Sequence, residues 1–164
     1  MALLESRQVF QTNVDCTVSG VSERGGILAY VPDSTAIGLC TYANAAAISG
    51  TVAYNPAGLL LDDVEALNFY NHPEYRQRNV VPQGSVVGVA TEGEFWTDFV
   101  EQTGPGAISV GTYTPGDTLY LADSGQVSRN NGTFNNTGTA IRAVVGKALS
   151  ALRTDGFLKI SLEL

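Results

Sequence analysis

The sequence predicts an all-β fold, an antiparallel β-sandwich or barrel with an extended N-terminal arm and little helix. Eighteen glycines and six prolines punctuate short runs rich in Val, Ile, Thr, Tyr and Phe, the composition of short strands joined by tight turns. At the end of the chain Leu158, Ile160, Leu162 and Leu164 alternate with Lys159, Ser161 and Glu163, so that one face of a terminal strand is buried and the other is wet. Helix has little room: the best candidate is the Ala-rich piece at 42–48, about two turns long, and Gly50 closes it.

Apolar and β-branched runs place further strands at 9–18, 26–31, 64–69, 85–90, 94–100, 118–121 and 143–149. Turns with definite chemistry separate them, notably Pro115-Gly116-Asp117, Asp123-Ser124-Gly125 and Asp155-Gly156. The run 128–139, rich in Asn, Gly and Thr, reads as an exposed loop. A polar, irregular stretch at 70–79 carries His72, Pro73, Arg76 and Arg78. It divides the chain into an arm (1–12), an N-terminal β region (13–79) and a C-terminal β unit (80–164), in which VVGVA at 86–90 is echoed by VVGKA at 144–148.

The arm is expected because MALLES is apolar at Leu3 and Leu4, passes through Arg7 into the extended run from Val9, and meets no turn signal before Gly20. An extended segment of this kind can add a strand to a neighbouring sheet, the alternative being an ordinary first strand inside the barrel with a frayed tip. Leu3, Leu4, Arg7 and Val9, with Arg76 and Arg78, are therefore candidate partner-binding residues.

Only 15% of the residues are charged while 44% are apolar, a low charge density for a free surface. A partner is expected to cover part of it, and a homotrimer is the expected state. The net charge is −7 and lysine occurs only at Lys147 and Lys159, so the basic footprint of a nucleic-acid binder is missing. No apolar stretch approaches the roughly 20 residues of a membrane span, and MALLESRQVF does not read as a secretory signal. The N-x-T sequons at Asn131 and Asn135 are then loop residues rather than glycosylation sites.

Chemistry-bearing residues do not converge into a catalytic set. His72 is the only histidine and has no nucleophile beside it in sequence. The acidic groups Asp62, Asp63 and Glu65, and Glu92, Glu94, Asp98 and Glu101, lack the spacing of a calcium loop and read as solvated strand faces and turn ends. Gly104-Pro105-Gly106 has neither the Lys-Ser/Thr nor the helix of a phosphate loop. Cys16 and Cys40 have no CxxC spacing and signal neither zinc nor a disulfide framework; they read as buried small hydrophobes. No enzyme activity, metal or cofactor is expected. Trp96 is more informative: alternation sets Phe95, Thr97 and Phe99 on one face and Glu94, Trp96 and Asp98 on the other. A lone Trp on a polar face is often an interface anchor, which makes Trp96 a candidate partner-binding residue; the alternative is that it caps a second hydrophobic layer or packs beneath the 70–75 loop.

From Val81 onward the pieces PQGSVVGVATEGEF, GAISVGTYTPGDTLYLADSGQVS and AVVGKALSALRTDGFLKISL, in that order, resemble the small β domain, or β-tulip, of decoration (cement) proteins of tailed-bacteriophage heads. The resemblance covers about half the chain and does not extend to residues 1–80. It implies a structural virion protein, assembled in the host cytoplasm as a trimer on the outer capsid surface, with the major capsid protein as partner. It implies clamping of neighbouring capsid subunits and no bond made or broken in a substrate. A carbohydrate-binding or adhesin module of a phage tail or fibre is the alternative, since a Gly-rich β domain with Trp, Tyr and acidic residues also suits sugar. A trimeric β enzyme of the dUTPase kind fits in size, but its Asp-Tyr substrate hairpin and Gly-rich C-terminal arm are missing.

Overall fold

The computed structural model describes residues 8–31, 36, 38–42, 55–63, 80–81, 83–104, 108–109, 112–131 and 142–164. Its strands are β1 (Gln8–Val18), β2 (Ser22–Glu23), β3 (Ile27–Tyr30), β4 (Leu39–Thr41), β5 (Pro56–Asp63), β6 (Val80–Val81), β7 (Val86–Thr97), β8 (Thr103–Gly104), β9 (Ile108–Ser109), β10 (Thr118–Leu121), β11 (Val127–Ser128), β12 (Val144–Ala148) and β13 (Leu158–Glu163). The fold is all-β, as the Gly-punctuated β-branched runs require.

Strands β1, β4, β3, β5 and β7 close a five-stranded barrel, β7 returning to pair with β1. The long strand β7 organises the rest. Along one edge it pairs with β1, from Gln8 opposite Glu94 to Thr17 opposite Val86. Its other edge is shared end to end: β5 takes Val87 to Ala90 and β13 takes Glu92 to Thr97. From β13 the same sheet continues beyond the barrel through β12 and β10 to β11. This outer part rolls back on the chain leaving β7, because Val127 donates to the Phe99 carbonyl and accepts from the Glu101 N–H, both at 2.9 Å.

The side chains follow from these registers. Cys16, Val18, Leu28, Cys40, Leu60, Val87 and Val89 are buried together in one cluster, on the barrel's inner side. Ile27, Ala29, Leu59 and Ala90 project from the opposite faces of the same strands and join Phe95, Leu119, Leu121, Val127, Leu158, Ile160 and Leu162 in a second cluster. Strands β3 and β5 are thus buried on both sides, which is why ILA and LLL run without alternation. Each fully buried Leu or Ile contributes about 1.5–3 kcal/mol.

These pairings correct three expectations. The sheet and the second cluster both draw on residues from either side of the 79/80 division, so that division does not separate two cores. The stretch from Gln8 to Thr12, expected as an arm for a neighbour, forms a ladder with β7 of its own chain; β7 offers a free edge where β5 and β13 leave one. The runs 85–90 and 94–100 are joined in one strand, with Gly93 paired to Val9 and Leu162. In the terminal strand Leu158, Ile160 and Leu162 are buried, while Leu164 is 44% exposed. The 64–69 strand and the 43–48 portion of the helical piece lie outside the described residues, as does most of the 128–139 loop.

The expected turns form. Asp117 donates its N–H to the Thr114 carbonyl at 3.1 Å, and its carboxylate accepts the Thr114 N–H at 2.9 Å. That hydrogen bond holds the Asp117 carboxyl below its ordinary value. Between β10 and β11, Ser124 (φ 55°) and Gly125 (φ 76°) are both left-handed, a type I′ turn whose twist matches the flanking strands. Gly125 also makes room for a ring: a Cβ there would lie 2.5 Å from Tyr42. The Tyr42 hydroxyl accepts the Glu23 N–H at 2.8 Å and donates to the Glu23 carbonyl, and its ring meets Phe99 at 6.0 Å. Tyr42 therefore pins the end of β4 to the β10–β11 turn.

Tyr113 anchors the rolled sheet in the same way, donating to the Glu101 carbonyl at 2.6 Å from a fully buried position. Burial, then the Glu101 charge, push its phenol up to about 12. The fold thus favours the neutral form, and the stability this confers is complete below the unfolded value of 10.0 and is lost as pH climbs through about 12. Urea midpoints measured from pH 9 to 12 should fall more steeply for the wild type than for Tyr113→Phe. Parallel curves would reject the assignment.

Candidate partner-binding surface

Of the candidate contact residues, Trp96 is the one whose side chain the structure describes. Val9 is seen as a ladder residue opposite Gly93, its backbone engaged within the chain's own sheet. Leu3, Leu4, Arg7, Arg76 and Arg78 lie outside the described residues.

The alternation read from the sequence holds through Trp96. Phe95 and Thr97 are buried, with Phe95 opposite Ile160, while Glu94 and Trp96 face outward. The buried Thr97 hydroxyl donates to the Gly25 carbonyl at 2.9 Å and accepts the Phe99 N–H at 3.0 Å, which fixes the end of β7 and with it the direction of Trp96.

Two cations that sequence reasoning missed complete the surface. Lys159 stands directly opposite Trp96, and its Nζ reaches the Glu94 carboxylate at 2.6 Å. The Arg153 guanidinium lies over the indole, 5.3 Å from the ring centroid, and pairs with Asp155 at 2.8 Å. Trp96 is therefore half-buried beneath an arginine, beside a Lys–Glu pair, rather than isolated between carboxylates. Farther across the same face the register runs from Glu94 to Ser161, Lys147 and Thr118. The signal for Lys159 was its place on the wet side of the terminal strand; Arg153 gave none, because only the 153–157 turn brings it over the ring.

The Glu94–Lys159 pair is about one-third exposed and contributes little stability in water. Covered by a partner, the same charges would select its register and orientation. Trp and Arg are the residue types enriched at interface centres, whereas Lys and Glu belong to the rim, so the stacked pair marks the candidate contact and the Glu94–Lys159 pair its edge. Among the described residues no group of three His, Cys, Asp or Glu side chains is placed to hold a metal ion. No family model matches the chain, and no curated protein shows significant similarity to it.

Proposed function

We propose that this chain is a structural virion protein that binds the outer surface of an assembled phage head as a trimer and clamps neighbouring capsid subunits. What carries the reading is the fate of the three sequence pieces that resemble decoration proteins. The first supplies β7 as far as Phe95, one residue before Trp96, the second β9, β10 and β11, the third β12 and β13. All but the short β9 belong to the continuous sheet that presents Trp96 outward. Low charge density and an outward Trp supply the attachment face. The role is mechanical: binding the assembled lattice and not free subunits stabilises the shell by mass action.

Mixing the purified protein with undecorated, expanded heads and counting bound copies tests this. Saturation at a fixed number of copies per capsid subunit is expected. Trp96→Ala should weaken binding by about 2 kcal/mol or more, roughly thirtyfold. Absence of saturable binding overturns the reading, and glycan-array binding in its place selects the adhesin alternative. Normal attachment of Trp96→Ala with only a lower melting temperature would make Trp96 structural.

A further inference from the structure

The cysteines lie far apart in sequence, yet the barrel brings them together. Strands β1 and β4 run parallel, with Thr17 opposite Leu39 and Val18 opposite Cys40. Cys16 shares the face of Val18 and so stands diagonally across from Cys40. Both side chains are fully buried in the barrel cluster, where the Cys40 thiol donates to the Gly38 carbonyl at 3.4 Å and each thiol is close enough to shift the other's titration. The two backbones also approach closely here, since a Cβ on Gly38 would fall 2.0 Å from the Asp15 carbonyl oxygen. Such proximity brings a diagonal pair toward the span that a disulfide bridges.

Access is built in. Tyr30 stands opposite Cys40 on β3 and is 38% exposed. The thiols therefore lie beneath a ring that itself reaches solvent.

We propose that Cys16 and Cys40 are a site of covalent modification, forming an intramolecular disulfide on exposure to hydrogen peroxide and tying β1 to β4 within the closed barrel. The roles of the two thiols differ. The neighbouring Cys40 thiol holds Cys16 below the ordinary thiol value, whereas the Cys16 thiol and burial push Cys40 above it. Cys16 is then the first to become a thiolate, the nucleophilic form. Its sulfur attacks one peroxide oxygen, the O–O bond breaks, and a sulfenic acid forms as the other oxygen leaves as water. The Cys40 sulfur attacks the sulfenic sulfur, the S–O bond breaks, and the departing hydroxide takes the Cys40 proton. Two thiols lose two electrons in total, and one peroxide becomes two waters. The inference is independent of the capsid reading.

The test treats the folded full-length protein with hydrogen peroxide, followed by thiol counting in denaturant, intact mass and non-reducing peptide mapping. Expected are loss of both thiols, a mass lower by two hydrogens, and a Cys16–Cys40 linked peptide that dithiothreitol releases. The oxidised protein should melt several degrees higher than the reduced one. Cys16→Ser and Cys40→Ser should each keep one sulfur and show neither the cross-link nor the shift. Thiols that stay free in the folded protein, oxidation that stops at sulfenic or sulfinic acid, or cross-links joining two chains would each overturn the proposal.

Discussion

Replacing Arg142 by Met is expected to cost about 3–5 kcal/mol of folding stability, because it leaves a carboxylate buried without its counter-charge. Arg142 grips Glu101 with two nitrogens, at 2.7 and 3.2 Å, and the two side chains are only 2% and 4% exposed. Around them Tyr113 donates to the Glu101 carbonyl, Glu101 donates its N–H to Val127, and Arg142 donates its N–H to Asn131. The pair therefore ties the segment after β7 to the entry of β12, where the outer part of the sheet rolls back on the chain leaving β7. Its presence is not evidence of net stabilisation, since Arg142 Nε is buried without a partner and both charges are desolvated. The asymmetry is the useful prediction. The double variant Glu101→Leu with Arg142→Met removes both charges and should recover most of the loss seen in the single variant. Urea denaturation measures both, and a loss below about 1 kcal/mol in the single variant would mean that water reaches Glu101.

How far the sequence foretold this molecule depends on the range over which each signal acts. Turn chemistry is local, and all three turns named from sequence form. The alternation of Leu158, Ile160 and Leu162 is equally local, and those residues are buried as expected. Strand β5 escaped because Leu59, Leu60 and Leu61 serve two clusters at once, so period-two alternation is absent where it was sought. The gap between the expected runs 85–90 and 94–100 is strand, with Gly93 a ladder residue that has a strand on each side. The arm failed from Gln8 onward for a related reason: an extended run without a turn signal suits a neighbour's sheet and its own sheet equally, and only the free edge of β7 decides between them. At the candidate surface the outward placement of Trp96 was legible from residues on its own strand. Its cover by Arg153 and its neighbour Lys159 were not, because both arrive by a pairing across the sheet. The Cys16–Cys40 contact and the Glu101–Arg142 pair belong to the same class, joined by topology rather than spacing.

The other large effect is expected at Gly146, which holds the middle of β12 opposite Leu162 of β13 and Leu119 of β10. Its φ is +155°, and a Cβ there would lie 1.9 Å from the Ser161 carbonyl oxygen and 3.1 Å from the Leu162 Cα. Both obstacles are backbone atoms of the paired strand, so no side-chain rotation relieves the clash. Gly146→Ala must push β12 from β13, and the β10–β11 hairpin reaches β7 through that pairing. A loss above about 4 kcal/mol is expected, the range kept for substitutions that break a packed element. Gly116→Ala supplies the control, because Gly116 has φ +95° and nothing within 4 Å of the added carbon. It should lose only the cost of left-handed backbone, on the order of 1 kcal/mol. Chemical denaturation followed by Trp96 fluorescence reads both, since Trp96 lies on β7 against β13. Equal losses in the two variants would show that backbone conformation alone sets the cost and that the strands can accommodate a methyl group.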